Sequence, residues 1–249
     1  MSQAALTIDS LTVDFGGFRA VDGFSMIVQE GELRVLLGAN GAGKTTLMDL
    51  ISGKTKSTSG RVHLYDAEIT NLEEHKIARR GLGRKFQIPS VFRELTVRGN
   101  LEVASCRNNS VFANLGLGFS PAQKQRIEEV LELTGLKDVQ YDQAGDLSHG
   151  QTQWLELGML VIQEPKVILL DEPTAGMTQG ETQKTAEIIM SLAGDHTILV
   201  VEHDMAFVRK IARKITVMHL GKLLAEGPLS EIETNKDVQK AYLGSGGIH

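Results

Sequence analysis

The run Gly38-Ala39-Asn40-Gly41-Ala42-Gly43-Lys44-Thr45 spaces its glycines, one lysine and one hydroxyl as a phosphate-binding loop requires. The glycines let successive backbone N–H groups close around an anion, and a helix opening at Lys44 adds the positive end of its dipole. In that setting Lys44 bridges the outer phosphates of a nucleotide and the Thr45 hydroxyl offers a ligand to Mg2+. A second run, Val167-Ile168-Leu169-Leu170-Asp171-Glu172, ends four apolar residues in two carboxylates. Asp171 is suited to hold Mg2+ through water and Glu172 to polarise an attacking water. Alone, this second run fits an acidic turn after a core strand equally well; beside the phosphate loop it reads as the other half of a nucleotide site. The loop by itself leaves kinase, GTPase, helicase and transport ATPase all open.

The elements that must position these groups follow from periodicity. Leu6 to Phe15 and Phe24 to Val28 alternate as strands, with Phe15-Gly16-Gly17-Phe18 as the turn. Glu32 to Leu37 is a short buried strand running into the loop, and Lys44 to Ile51 has helical spacing. Arg61 to Leu64 returns to strand. From about Arg93 to Leu160 helical periodicity dominates, and 93–160 is expected to be a helical insertion. Its clearest helix has Ser120 as N-cap, Pro121 at the first position, Gln123 closing a capping box and Gly135 as terminator. A second capping box, Ser148 with Gln151, starts a helix carrying Leu155, Leu157, Met159 and Leu160. Strand signals resume at Val167 to Leu170, Thr197 to Val201 and Ile215 to Met218. The helical stretches Glu181 to Leu192 and Met205 to Ala212 separate them, as in a parallel α/β sheet.

With 249 residues the chain can bury a sizeable core, and 26 Lys and Arg against 31 Asp and Glu leave a net charge of -5. That balance gives no electrostatic footprint for nucleic acid or anionic lipid, so a membrane role would run through protein contacts. The single Cys106 excludes an intrachain disulfide. The opening MSQAALTIDS lacks the basic and apolar regions of a secretory signal, and the apolar runs fall far short of the ~20 residues that span a bilayer. A cytoplasmic chain is expected.

Leu147-Ser148-His149-Gly150-Gln151 resembles the signature motif of ABC cassettes, and the resemblance covers essentially the whole chain. It implies one ABC nucleotide-binding domain over 1–249. The implied fold class is an α/β P-loop NTPase with a mostly parallel RecA-like core sheet, an N-terminal antiparallel β subdomain and the inserted α-helical subdomain 93–160. ATP and Mg2+ are the implied cofactors. The nucleotide set is Phe15, Gly38, Asn40, Gly41, Ala42, Gly43, Lys44, Thr45 and Thr46, joined by Ser148, Gly150 and Gln151, with Ser148 and the Gly150 amide pointing at the γ-phosphate of ATP on an opposite cassette. Phe15 fits the aromatic that stacks on adenine, or else is core. Gln87, in Phe86-Gln87-Ile88-Pro89, fits the glutamine loop that reaches Mg2+ and the water. His203, after the strand Ile198 to Glu202, fits the switch histidine that contacts the γ-phosphate. The catalytic set is thus Glu172, His203, Gln87 and Lys44, and the metal set Thr45, Gln87 and Asp171.

Phe15-Gly16-Gly17, His203-Asp204-Met205 and Ala241-Tyr242-Leu243-Gly244 look like the branched-chain amino-acid transporter ATPases. Gly83 to Gln87, Gln153 to Met159 and Ala175 to Thr178 are similar to the ATP-binding subunit of bacterial urea transporters. A urea importer is therefore the expectation, with a branched-chain amino-acid or short-chain amide importer as the alternative. The implied partners are a second cassette (a distinct paralogue or a second copy), two transmembrane permease subunits and, indirectly, a periplasmic substrate-binding protein. The implied place is the cytoplasmic face of the inner membrane. Ile88, Val91, Phe92 and Leu95, within 87–101, either dock a permease helix or belong to the core. Two departures stand out. Thr152, Trp154 and Met159 sit where basic residues are frequent, and Thr178 stands where many cassettes have aspartate, so communication there is expected to use backbone groups. A soluble ABC ATPase acting on DNA or ribosomes is disfavoured, because neither a long coiled coil nor a second cassette is present.

Overall fold

The computed structural model describes residues 3–85, 91–106 and 119–243. Met1–Arg84, Lys166–Pro173 and Ile189–His249 form one compact unit, and Lys85–Pro165 with Thr174–Ile188 form another.

In the first unit, β1 (Ala4–Phe15) pairs antiparallel with β2 (Phe18–Gln29) across the Gly16-Gly17 turn. Leu6 and Ile8 face inward, then Leu11 and Val13 do. The phase of the alternation flips because the register slips between Ile8 and Leu11, at Ser10, whose φ of 47° is left-handed. Gly60 is required opposite this bulge: its own φ is +86°, and a Cβ there would collide with the Ser10 carbonyl. With β4 (Ser59–Leu64) and β5 (Ala67–Glu68) these strands make a four-stranded sheet ordered β2-β1-β4-β5.

The other sheet of this unit has six strands: β3 (Leu33–Leu37), β6 (Leu82–Lys85), β7 (Val167–Asp171), β8 (Thr197–Val201), β9 (Lys214–His219) and β10 (Lys222–Gly227). Their order is β10-β9-β3-β8-β7-β6. β3 is parallel to both β8 and β9, β7 is parallel to β8, and β10 returns antiparallel to β9. Every position of β3, β7 and β8 is buried, which is why their sequences run apolar rather than alternating. Arg34 in β3 is an exception, as are Thr197 and Asp171 at the ends of β8 and β7. The fully buried Arg34 guanidinium is satisfied by Glu32, Thr216, Glu226 and the Ile27 carbonyl. Helices α1 (Lys44–Ser52) and α2 (Glu74–Arg79) lie early in the chain.

The second unit is built on α3 (Val97–Ser105), α4 (Pro121–Thr134), α5 (His149–Val161) and the first turns of α6 (Gln179–Leu192). α4 has the expected Ser120 capping box, Pro121 at its start and Gly135 as a left-handed terminator. α3, α4 and α5 meet at Gly158, where a Cβ would press on Leu101, Val130 and Thr134. The stretch 93–160 falls inside this unit. The chain then closes in the first unit with α7 (Met205–Ile211), α8 (Leu229–Thr234) and α9 (Lys236–Leu243). Among the described residues no helix is long and apolar enough to cross a membrane.

Candidate nucleotide site

In the first unit the carboxyl ends of three adjacent parallel strands, β3, β7 and β8, deliver Gly38, Asp171-Glu172 and Glu202-His203 to one end of the sheet. That end is where open α/β sheets bind ligands. The loop leaving β3 is held close to its neighbours. A Cβ on Gly38 would lie 2.5 Å from the Met218 carbonyl oxygen, and one on Gly43, whose φ is +103°, would overlap the Ala20 carbonyl. Neither position accepts a side chain. Ala42 accepts a hydrogen bond from Gly221, which in turn accepts one from Asp22, so the β9–β10 turn ties the loop to β2.

Lys44 is 6% exposed, and its ammonium folds back to donate to the carbonyls of Gly38 at 2.6 Å and Ala39 at 3.1 Å. Burial pulls its pKa down against the opposing charges of Glu172, Asp171 and Glu202. The ammonium is thus fixed by its own loop, ready for an anion. Asp171, at the end of β7, has a side chain 1% exposed, and neither carboxylate oxygen has a hydrogen-bond partner. Arg84 lies 3.6 Å away, itself anchored on Asp49 at 2.6 Å and Ser52 at 2.8 Å. Burial raises the Asp171 pKa, with Arg84 pulling the other way. Two orphaned, buried acceptor oxygens beside a lysine fit a hydrated Mg2+. Among the described residues no cluster of His, Cys, Asp and Glu could cage a metal.

Glu172 sits at a left-handed φ of 47°, its N–H donating to Val201. A non-glycine residue there is strained, and strain of this kind concentrates at functional positions. Its carboxylate lies 3.3 Å from His203 Nδ1, while the His203 N–H donates to Glu202. Lys44, Asp171, Glu172 and His203, far apart in sequence, are therefore gathered at one place. Phe15 is 53% exposed at the hairpin tip, so the core alternative for it is excluded. Gln87, with Phe86, Ile88 and Pro89, lies outside the described residues, as does Gly244.

The second unit houses the signature residues. Ser148 caps α5, its hydroxyl accepting from the Gln151 N–H at 3.2 Å while the Gln151 side chain accepts from the Ser148 N–H at 2.9 Å. The Gln151 amide is thus engaged in the cap. Residues at the unusual positions have partners too. Thr152 bonds back to the Ser148 carbonyl, and Trp154 Nε1 donates to Thr185, which contacts the Met177 sulfur. Cations arrive from other elements: Lys85 bonds Gln153 and lies 3.8 Å from Glu156, and Lys184 sits 4.0 Å above the Trp154 ring. Of the segment 87–101, Phe92 and Leu95 are exposed whereas Val97 and Leu101 are core. Sequence reasoning missed Arg84, whose strand β6 has no apolar alternation. It also missed Glu181, which contacts Ser148 although only the pattern Thr178-x-x-Glu181 is visible in the sequence.

Comparison with known proteins places these features in a family. The model for "ABC transporter" matches residues 21–175. The high-affinity branched-chain amino acid transport ATP-binding protein BraF of Pseudomonas aeruginosa is 38% identical over 98% of this chain and 99% of its own. The corresponding protein LivG of Escherichia coli is 37% identical over the same shares. Among solved structures, a nucleotide-free ATP-binding cassette from an ABC transporter superposes with a TM-score of 0.83 at 30% identity, covering 97% of this chain and 99% of that one. An ADP conformation of such a cassette gives 0.82 at 31% identity, over 98% and 99%.

Proposed function

Because the chain belongs to the ABC transporter family and is an ATPase of its cassette type, binding ATP with Mg2+, we propose that it energises an importer of small nitrogen-containing solutes. The observation that carries the catalytic half of this reading is the convergence of Lys44, Asp171 with no hydrogen bond to either oxygen, and the Glu172–His203 pair at the carboxyl ends of β3, β7 and β8. The loop amides of Gly38, Asn40, Gly41, Ala42 and Gly43, followed by those of Thr45 and Thr46, cradle the phosphates, and Lys44 neutralises the outer ones. Thr45 and Asp171 would hold Mg2+, Asp171 through water, with Gln87 as a further candidate ligand; when bound, the ion would offset charge on the phosphate oxygens. Glu172 takes the proton of the attacking water, His203 fixes the Glu172 carboxylate, and Phe15 supplies an exposed face for the base.

Ser148 and Gly150 act on ATP held by a second cassette, so the working unit is a pair, and closing it completes each site. The second cassette is a distinct paralogue, two permease subunits carry the pathway and a periplasmic binding protein supplies cargo. The chain sits peripherally on the cytoplasmic face of the membrane. Exposed Phe92 and Leu95 form part of the permease contact.

The cargo reading follows the relatives, whose names specify branched-chain amino acids. A second reading, urea, draws on one specific observation. Side chains from the three segments that resemble urea transporter subunits make two sets of contacts at α5: Lys85 with Gln153 and Glu156, and Trp154 with Thr185, which in turn contacts the Met177 sulfur. ATPase assays on the assembled complex decide between them. Stimulation by leucine and not by urea establishes the first, and the reverse establishes the second. Size-exclusion mass of Glu172→Gln with ATP, against Lys44→Ala as the non-binding control, tests the pairing. A Glu172→Gln protein that fails to bind ATP removes the basis of the whole reading.

A further inference from the structure

The N-termini of two helices, α5 and α6, share one side chain. Glu181 closes a capping box on α6: its Oε2 accepts from the Thr178 N–H at 2.9 Å and the Thr178 hydroxyl at 2.8 Å, while the Glu181 N–H donates to that hydroxyl at 3.3 Å. A capping box needs nothing further from the carboxylate. Yet the other oxygen, Oε1, reaches α5, where the Ser148 hydroxyl lies at 3.5 Å and a Cβ built on Gly150 would fall 2.2 Å from it, with the Gly150 N–H directed at the same carboxylate. The glycine is what admits this oxygen. The carboxylate is held below its usual range, first by the Thr178 backbone N–H and hydroxyl, then by Gly150 and Ser148.

We propose that Glu181 is the resident anion of the signature helix: its carboxylate occupies the Ser148 and Gly150 donors, and phosphate must displace it to use them. This deepens the proposed function and rests on the assignment of Ser148 and Gly150 as phosphate donors. The physical ground is competition. The amide and hydroxyl at a helix N-terminus attract an anion through aligned dipoles, and a carboxylate and a phosphoryl group compete for the same donors. Glu181 gives up no cap when it yields, because Oε2 remains on Thr178. It is a positioning residue. It keeps the two donors oriented while no phosphate is present and sets how tightly one binds.

The test is a titration of the full chain with inorganic phosphate, following the Gly150 and Thr178 amides by 1H–15N NMR in wild type, Glu181→Gln and Glu181→Asp. The glutamine keeps an acceptor and removes the charge. The aspartate keeps the charge and draws it back by one methylene, which leaves a second variant should the first fail to fold. The expected result is that phosphate moves the Gly150 resonance with an affinity about two- to five-fold tighter in Glu181→Gln than in wild type, the size of one anion at a helix N-terminus. Glu181→Asp is expected to shift in the same direction. A purely structural cap would not produce a charge-dependent change in anion affinity. Equal affinity in all three proteins overturns the proposal while leaving Ser148 and Gly150 as phosphate donors. A Gly150 amide that phosphate does not move in any of them overturns both.

Discussion

Asp171→Asn is expected to make the nucleotide-free protein more stable while abolishing its response to Mg2+. The wild-type carboxylate is buried, its two oxygens accept no hydrogen bond, and burial raises its pKa despite Arg84 at 3.6 Å. Asparagine removes the buried negative charge whose desolvation raises that pKa, and the lost attraction to Arg84 offsets part of the relief, leaving a net gain on the order of 1 kcal/mol. For a chain of this size, that converts to a melting temperature higher by about 2–4 °C in the asparagine variant. The pH dependence has a definite sign. The folded pKa lies above the unfolded one, so the stability contributed by this group is fully present below the unfolded value near ~3.9 and is lost as pH rises through the folded value. The advantage of the variant should therefore grow as pH rises through the folded pKa and vanish in acid. The assay is thermal unfolding of both proteins, without nucleotide, with ATP and EDTA, and with ATP and Mg2+. At about 100 times Kd the ligand adds about 2.7 kcal/mol. Wild type should show part of that gain only with Mg2+, and the variant should gain equally with and without it. A nucleotide-free variant that melts several degrees below wild type would refute the claim that this carboxylate is held at a cost for an ion.

Other outcomes follow from single contacts. Lys44→Ala should abolish ATP binding with little loss of stability, read by nucleotide titration, because among the described residues its ammonium hydrogen-bonds the carbonyls of its own loop. Gly60→Ala, strained by its φ of +86° and by the Ser10 carbonyl, should lower stability by about 2 kcal/mol in denaturant melts, yet leave ATP affinity of the folded protein unchanged. Trp154→Phe loses the hydrogen bond to Thr185 and should cost about 1 kcal/mol in the same melts. Thr178→Asp would set a second carboxylate against Glu181, which now accepts from Thr178, and turnover in the assembled complex should fall; a rise would show that an acidic side chain, and not the backbone there, suits communication.

The parts of the site legible in sequence are those whose chemistry is local. The phosphate loop, the Ser120 and Ser148 capping boxes and the Gly135 terminator are decided by residues within one turn of one another, and they formed as read. β2 was legible only from Phe24, because Asp22 and Gly23 disfavour strand by themselves; pairing with β1 carries it back to Phe18. β6 and β10 escaped notice because Leu-Gly-Arg-Lys and an edge segment have no apolar alternation. Arg34, the one charge in the otherwise apolar strand β3, depends on Glu226 on a strand far along the chain, and no window of sequence contains both. The link between Glu181 and the Gly150 turn likewise exists only once two helix starts have been packed side by side.

The position of β3 at the middle of its sheet has a consequence for synthesis. Its neighbours are β8 and β9, which leave the ribosome only after Val201 and His219 have been added. At about 5–20 residues per second, the phosphate-loop strand waits roughly 10–40 s for its partners. Over that interval cellular ATP has no finished pocket to enter, so the nucleotide cannot guide the early chain. It acts as a late fastener, tightening the fold only once translation is nearly complete, and a chain cut before β9 would be deprived of it altogether.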